Sequence, residues 1–162
     1  MSQIALRLLD GGMGRELKRI GAPFRQPEWS ALALIEAPEF VLQAHGAFIA
    51  AGARIITTNS YAVVPFHIGD ARFAEQGRLL AERAGRLARQ AASASVEPVA
   101  VAGSLPPALG SYRPDLFDHQ RSVAIHRELI DGLQAHVDVW LAEPQSSTAE
   151  VRAVVEALGA QS

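Results

Sequence analysis

Two carboxylates set the chemistry that this sequence can offer. Asp10 closes the apolar run Ile4 to Leu9 and leads into Gly11-Gly12-Met13-Gly14, and Glu143 follows the apolar run Val139 to Ala142. Between them, two more strand-like runs end in polar groups, at Thr57-Thr58-Asn59-Ser60-Tyr61 and at Gly103-Ser104. In parallel α/β proteins all strand C-termini open onto one face, so these acids, hydroxyls and amide should converge on one pocket. Acids at the first and fourth ends suit an ammonium group, and backbone N–H groups at Gly11-Gly12 and Gly103-Ser104 suit a carboxylate. An α-amino acid carries both. Taken singly, Asp before Gly-Gly also forms turns and Thr-Asn also caps strand ends. A lone acid at the end of a buried strand is harder to place without a partner.

The elements that must position these groups alternate in type. Ile4 to Leu9 predicts a strand, followed by a loop punctuated by Gly21, Pro23 and Pro27. A helix starts at Ala37-Pro38, with proline at its first position, carries Val41, Ala44, Phe48 and Ala51 on one face, and stops at Gly52. Residues 54–58 are short and β-branched, a buried strand. Asp70 is placed to cap a second helix with a stripe of Phe73, Leu80, Ala84, Leu87 and Ala91. A third strand over 98–103 runs into a loop rich in Pro and Gly. Asp118 is placed to cap a third helix carrying Val123, Ile130, Leu133 and Val137, and 138–142 is the fourth strand. Ser147-Thr148-Ala149-Glu150 has the capping-box pattern, with Val151, Val154, Val155 and Leu158 at helical spacing after it. Four βα units in a row predict a parallel sheet covered by helices. A small doubly wound sheet and half of a (β/α)8 barrel both fit this pattern.

The 162 residues suffice for one domain with a core, at 49% hydrophobic and 20% charged. A formal net charge of -2 leaves no footprint for nucleic acid or for an anionic membrane surface. Arg78, Arg83, Arg86 and Arg89 interleave with Glu75 and Glu82 and read as a solvated helix face. The absence of Cys rules out a disulfide framework and a thiolate metal site within these residues. Met1 to Asp10 lacks the basic and long apolar segments of a secretory signal, and no stretch has the length of a membrane span, so a cytoplasmic protein is expected. Gly11-Gly12-Met13-Gly14 has neither the G-x-x-x-x-G-K-[ST] order nor the G-x-G-x-x-G spacing of phosphate loops. The five histidines show no metal-ligand spacing. His45, His119, His126 and His136 read as surface or capping residues, and His67 is held in reserve at the pocket rim.

Read in order, the strand ends resemble the homocysteine S-methyltransferase family. Asp10 to Leu17 resembles its opening D-G-G-M-G-T-E-L, and His45 with 51–61 resembles H…A-G-A-D-I-I-T-T-N-T-Y. Gly103-Ser104 with Pro107 resembles G-S-x-x-P, and Val137-Asp138 with Leu141-Ala142-Glu143 resembles V-D-x-L-x-x-E-T. The resemblance implies four βα units forming the N-terminal half of a (β/α)8 TIM barrel. It implies methyl transfer to homocysteine, giving methionine, from a sulfonium donor such as S-methylmethionine or S-adenosylmethionine. Asp10 and Glu143 would contact the homocysteine amino group, with Gly11, Gly12, Thr58 and Asn59 lining the same pocket. Zinc is expected for the family, held by cysteines in its second half. This chain has no Cys and ends at Ser162, so residues 1–162 are expected to form a partial homocysteine-binding domain that stops before the zinc-ligand half.

The departures bear on the donor. Pro144 follows Glu143 where the family has Thr, Arg15 and Arg54 replace Thr and Asp, and 105–110 reads Leu-Pro-Pro-Ala-Leu-Gly rather than G-P-Y-G. From another class, the chain is a non-catalytic half-barrel that binds an amino acid weakly or serves as an interaction module. A barrel aldolase half is disfavoured because Lys18, past the first strand end, is the one lysine. The homocysteine and methyl-donor partners are small molecules, and the two open edges of a half-barrel favour self-association.

Overall fold

The structure is a computed structural model that describes residues 7–159. Its strands are β1 (Ile55–Thr57), β2 (Ala100–Leu105) and β3 (Val139–Ala142), parallel and in sequential order. On the other side of β1, Leu9 pairs with Ile55 in parallel. Residues 4–6 of the first expected strand lie outside the described residues. The order Leu9, β1, β2, β3 has no reversal, so the doubly wound alternative, which requires a switch in strand order, is excluded.

Pleating decides which side chains meet the helices. Ile56, Val101, Leu105 and Trp140 belong to or pack on the clusters that contain the helical core residues. On the other pleat lie Thr57, Ser104 and Glu143, which line a cavity at the strand ends, while Val139 remains 49% exposed. Gly103 has a specific reason to lack a side chain. A Cβ there would stand 2.7 Å from the Trp140 ring, which lies across β2 from its paired position on β3.

The helices are α1 (Met13–Arg19), α2 (Ser30–Glu36), α3 (Pro38–Ala50), α4 (Pro65–Ile68), α5 (Asp70–Ser93), α6 (His119–Leu133) and α7 (Thr148–Gly159). Three local signals act as expected. Pro38 opens α3, Asp118 Oδ1 accepts the Arg121 N–H at 2.8 Å to cap α6, and Ser147 and Glu150 form a reciprocal capping box on α7.

Several expectations are corrected. The loop after the first strand contains α1 and α2, both short, whose helicity comes from packing Leu17 and Ala31–Leu34 into the core rather than from sequence period. Asp70 does not cap α5. Gly69 is the N-cap, at φ 84°, and the Asp70 carboxylate pairs with Arg121 at 2.6 Å. The arginine face of α5 is not uniformly solvated. Arg83 donates to the Leu34 carbonyl, and Arg89 donates to the His136 carbonyl while pairing with Asp138. Asp138 in turn accepts the Val101 N–H at 2.7 Å, so this arginine ties α5 to the β2–β3 edge. Val137 lies beyond the end of α6, yet it packs on both core clusters.

His45 and His126 are not surface residues. His45 is fully buried in α3, and His126 in α6 bonds the Pro106 carbonyl through Nε2 at 2.9 Å, pinning the loop after β2. Both were expected at the surface or in capping roles, and the packing of α3 and α6 into the core buries them instead.

Candidate functional site

The strand C-termini open onto a cavity of about 880 Å³. All six residues expected there, Asp10, Gly11, Gly12, Thr58, Asn59 and Glu143, line it. The two acids thus share one cavity from strand segments that are not neighbours in the sheet.

Asp10 is held from β1. Its carboxylate accepts the Thr57 backbone N–H at 2.8 Å and the Thr57 hydroxyl at 3.0 Å. Burial nevertheless raises its pKa, outweighing those bonds. Glu143 is also raised, chiefly by burial and then by the Asp10 carboxylate, with the Ser104 hydroxyl opposing both. Ser104 Oγ is buried and has no hydrogen bond of full geometry, so its influence on Glu143 is that of a near neighbour rather than a fixed partner. Two carboxylates that each disfavour ionisation make a site short of positive charge. An ammonium group with its three N–H donors supplies what is missing.

The remaining floor is built on an internal network. Thr58 Oγ1 accepts the Ser104 N–H at 3.0 Å and bonds Ser60 Oγ at 2.8 Å, while Ser60 Oγ donates to the Ser104 carbonyl. This corrects the expectation that the Ser104 amide is free for a ligand carboxylate: Thr58 consumes it. Thr58 therefore shapes the floor and joins β1 to β2. Asn59 differs. Its Nδ2 donates to the Ser30 carbonyl, which fixes the amide orientation and leaves Oδ1 buried without a partner. Oδ1 is thus an unsatisfied acceptor, closed off from solvent, on a residue that lines the cavity.

Sequence reasoning missed most of the aromatic lining. Phe24, Trp29, Phe66 and Tyr112 join the expected Tyr61 along the cavity, with Phe24 and Trp29 edge to face at 5.7 Å. Trp29 and Tyr112 adopt positive φ, 49° and 60°, a strained backbone for bulky residues. Tyr61 bonds Ser111 Oγ at 2.6 Å and so ties the loop after β1 to the loop after β2. Its phenol is raised by burial, with a smaller contribution from Glu143. The one available signal was compositional: aromatics clustered in segments that periodicity leaves as loops. The reserved His67 does line the cavity. Arg113, its one arginine, spends the guanidinium on Asp115 at 2.6 and 2.8 Å.

Zinc does not fit this set of side chains. The chain has no Cys, and among the described residues no group of three or more His, Cys, Asp or Glu is placed to hold a metal ion. No helix among the described residues is long and apolar enough to cross a membrane.

Comparison with known proteins bears on this geometry. Residues 7–162 match the model of the homocysteine S-methyltransferase family. The homocysteine S-methyltransferase of Escherichia coli is 33% identical over 169 residues, covering 94% of this chain and 54% of that protein. Homocysteine S-methyltransferase 1 of Arabidopsis thaliana is 34% identical over 85 residues, covering 52% of this chain and 26% of its own length. The crystal structure of the metallated E. coli homocysteine methyltransferase superposes with a TM-score of 0.81 at 32% identity, covering 96% of this chain and 59% of that one. The chain spans about half the length, or less, of the curated relatives it matches. Its βα units correspond to about half of that TIM-barrel enzyme.

Proposed function

The chain belongs to the homocysteine S-methyltransferase family, and from that premise we propose that its cavity holds homocysteine by the ammonium group, between Asp10 and Glu143, for methyl transfer from a small sulfonium donor. The observation that carries this reading is the pair of acids on one cavity, each raised by burial and Glu143 raised further by Asp10. An ammonium group between them offsets both the desolvation and the mutual repulsion. Gly11 and Gly12 line the cavity beside Asp10, and Asn59 lines it too.

In the reaction, the homocysteine sulfur attacks the methyl carbon as its thiolate. The methyl–sulfonium bond breaks, the donor leaves as a neutral thioether, and methionine forms. A thiol with a pKa of about 8.5 is only a few per cent ionised at neutral pH. Nearby carboxylates reduce that fraction further. Within this chain the residues therefore bind and orient the amino acid, and none of them is suited to activate the sulfur.

That mismatch favours a second reading, in which the chain as it stands binds the amino acid without turnover. Calorimetric titration with homocysteine, zinc analysis and a methionine-formation assay with S-methylmethionine separate the two. Binding that weakens about tenfold in Asp10→Asn and in Glu143→Gln supports the acid floor. Failure of the unaltered chain to bind homocysteine removes both readings, and binding without turnover leaves the second. Stoichiometric zinc with turnover removes the second.

A further inference from the structure

The two acids of the cavity are held unequally. Glu143 is anchored through its backbone, its N–H donating to the Leu105 carbonyl at 3.2 Å, while its carboxylate has the Ser104 hydroxyl as a near neighbour. Asp10 is held at both levels. Its backbone N–H donates to the Ile55 carbonyl at 3.0 Å, and its carboxylate takes three contacts from a single residue, Thr57. The Thr57 N–H donates to Oδ2 at 2.8 Å, and the Thr57 hydroxyl stands 3.0 Å from Oδ1 and 3.1 Å from Oδ2.

These contacts do different things. The N–H fixes one oxygen and leaves the carboxylate free to turn about that bond. A hydroxyl reaching both oxygens fixes the plane of the group. Thr57 is itself stiff, since a side chain branched at Cβ has few rotamers on a strand, and it lines the cavity with Asp10. Its neighbour cannot substitute for it, because Thr58 Oγ1 is engaged by the Ser104 N–H and Ser60 Oγ. The other titratable groups lining the cavity are Glu143, Tyr61, Tyr112, His67 and Arg113. Arg113 is paired with Asp115, Tyr61 bonds Ser111, and His67 bonds the Pro27 carbonyl.

We infer that Thr57 is a positioning residue of this site, its hydroxyl fixing the plane of the Asp10 carboxylate for the ammonium group of the ligand. The inference rests on the reading that the two acids hold homocysteine, and it divides the labour between them. A donated hydrogen bond favours the charged form of a carboxylate, so the hydroxyl works against burial to keep Asp10 ionised. Two interacting carboxylates take up protons in two steps. Glu143, without such a donor of full geometry, takes the first as pH falls, and Asp10 remains the standing counter-ion.

The experiment follows the side-chain carboxyl carbons of Asp10 and Glu143 by NMR in the whole chain as pH is lowered, and measures homocysteine affinity over the same range. In the unaltered chain Glu143 should gain its proton at a higher pH than Asp10. The reverse order overturns the inference without any variant. Thr57→Val keeps the branched shape and the backbone N–H but removes the hydroxyl. Asp10 should then titrate at higher pH, and homocysteine should bind about fivefold more weakly at neutral pH, the scale of one hydrogen bond. Because the ammonium group needs Asp10 ionised, the loss of binding on acidification should also begin at higher pH. Thr57→Ser restores the hydroxyl and should recover most of these changes. In an Asp10→Asn background, Thr57→Val should alter affinity little, since both act through one carboxylate. A lower Tm with the Asp10 titration and the affinity unmoved would assign Thr57 to joining the strands and overturn the inference. If the unaltered chain binds no homocysteine while the Asp10 titration still follows the hydroxyl through the Val and Ser variants, the homocysteine reading fails and the positioning of Asp10 stands.

Discussion

The seam between α5 and α6 and the floor at the strand ends are both buried, yet they are built on opposite terms. In the seam the backbones approach so closely that a Cβ on Gly132 would stand 2.8 Å from Ala81 Cβ and would also strike the Arg78 carbonyl. Leu80, Ala81 and Ala84 meet Leu129, Ile130 and Leu133 in one apolar cluster. On the floor, Asn59 Oδ1 and Ser104 Oγ are buried without partners, and two carboxylates share one cavity. The seam gains stability from fit. The floor keeps polar capacity unspent, and its two cavity-lining acids are what a ligand can satisfy.

Breaking the comparison starts with the largest effect, in the helix layer, where His45 is an exception to fit. Both its ring nitrogens are buried without partners, and burial lowers its pKa to about 4. A base with a depressed folded-state pKa leaves stability flat above pH 6.5, and stability falls as pH drops from 6.5 towards 4. The loss is on the order of 3 kcal/mol at the acid end. Urea denaturation at pH 7 and at pH 4.5 measures it, and His45→Leu should flatten the difference. Gly132→Ala comes next. It should destabilise by about 2 kcal/mol through overpacking, read as a lower Tm, with homocysteine affinity unchanged.

Glu143→Gln sharpens the contrast, because its two readouts move in opposite senses. The raised pKa means that the folded state holds its proton longer than the unfolded chain, so ionisation at neutral pH costs stability. The variant should therefore bind homocysteine about tenfold more weakly while its Tm rises by about 2 °C. A fall in both would mean that Glu143 is a structural residue. The smallest effect belongs to Asp118→Ala, which removes the α6 cap and should cost about 1 kcal/mol with the cavity unaffected.

Legibility in the sequence follows the range of the interactions involved. Pro38, Asp118 and the Ser147–Glu150 box act within one turn of helix, and each is recognisable from adjacent residues. The six floor residues were legible because strand ends share a face once the βα order is known. The rest of the aromatic lining was not, since Phe24, Trp29 and Tyr112 lie in segments without period and meet only through folding. Thr57 was legible as a strand end, but its bond to Asp10 spans 47 residues and depends on the alignment of Leu9 against β1.

By itself the sequence determined the alternation of elements, the polar strand ends and the lack of any thiolate, because residue type and local spacing carry all three. Only the tertiary structure decided the rest. It spent the Ser104 amide on Thr58, oriented Asn59 through Ser30, buried His45 and His126, and set the His67 tautomer through Pro27. The physical reason is common to all of them. A polar group's availability depends on which distant partner satisfies it first, and that partner is chosen by packing rather than by neighbours in the chain.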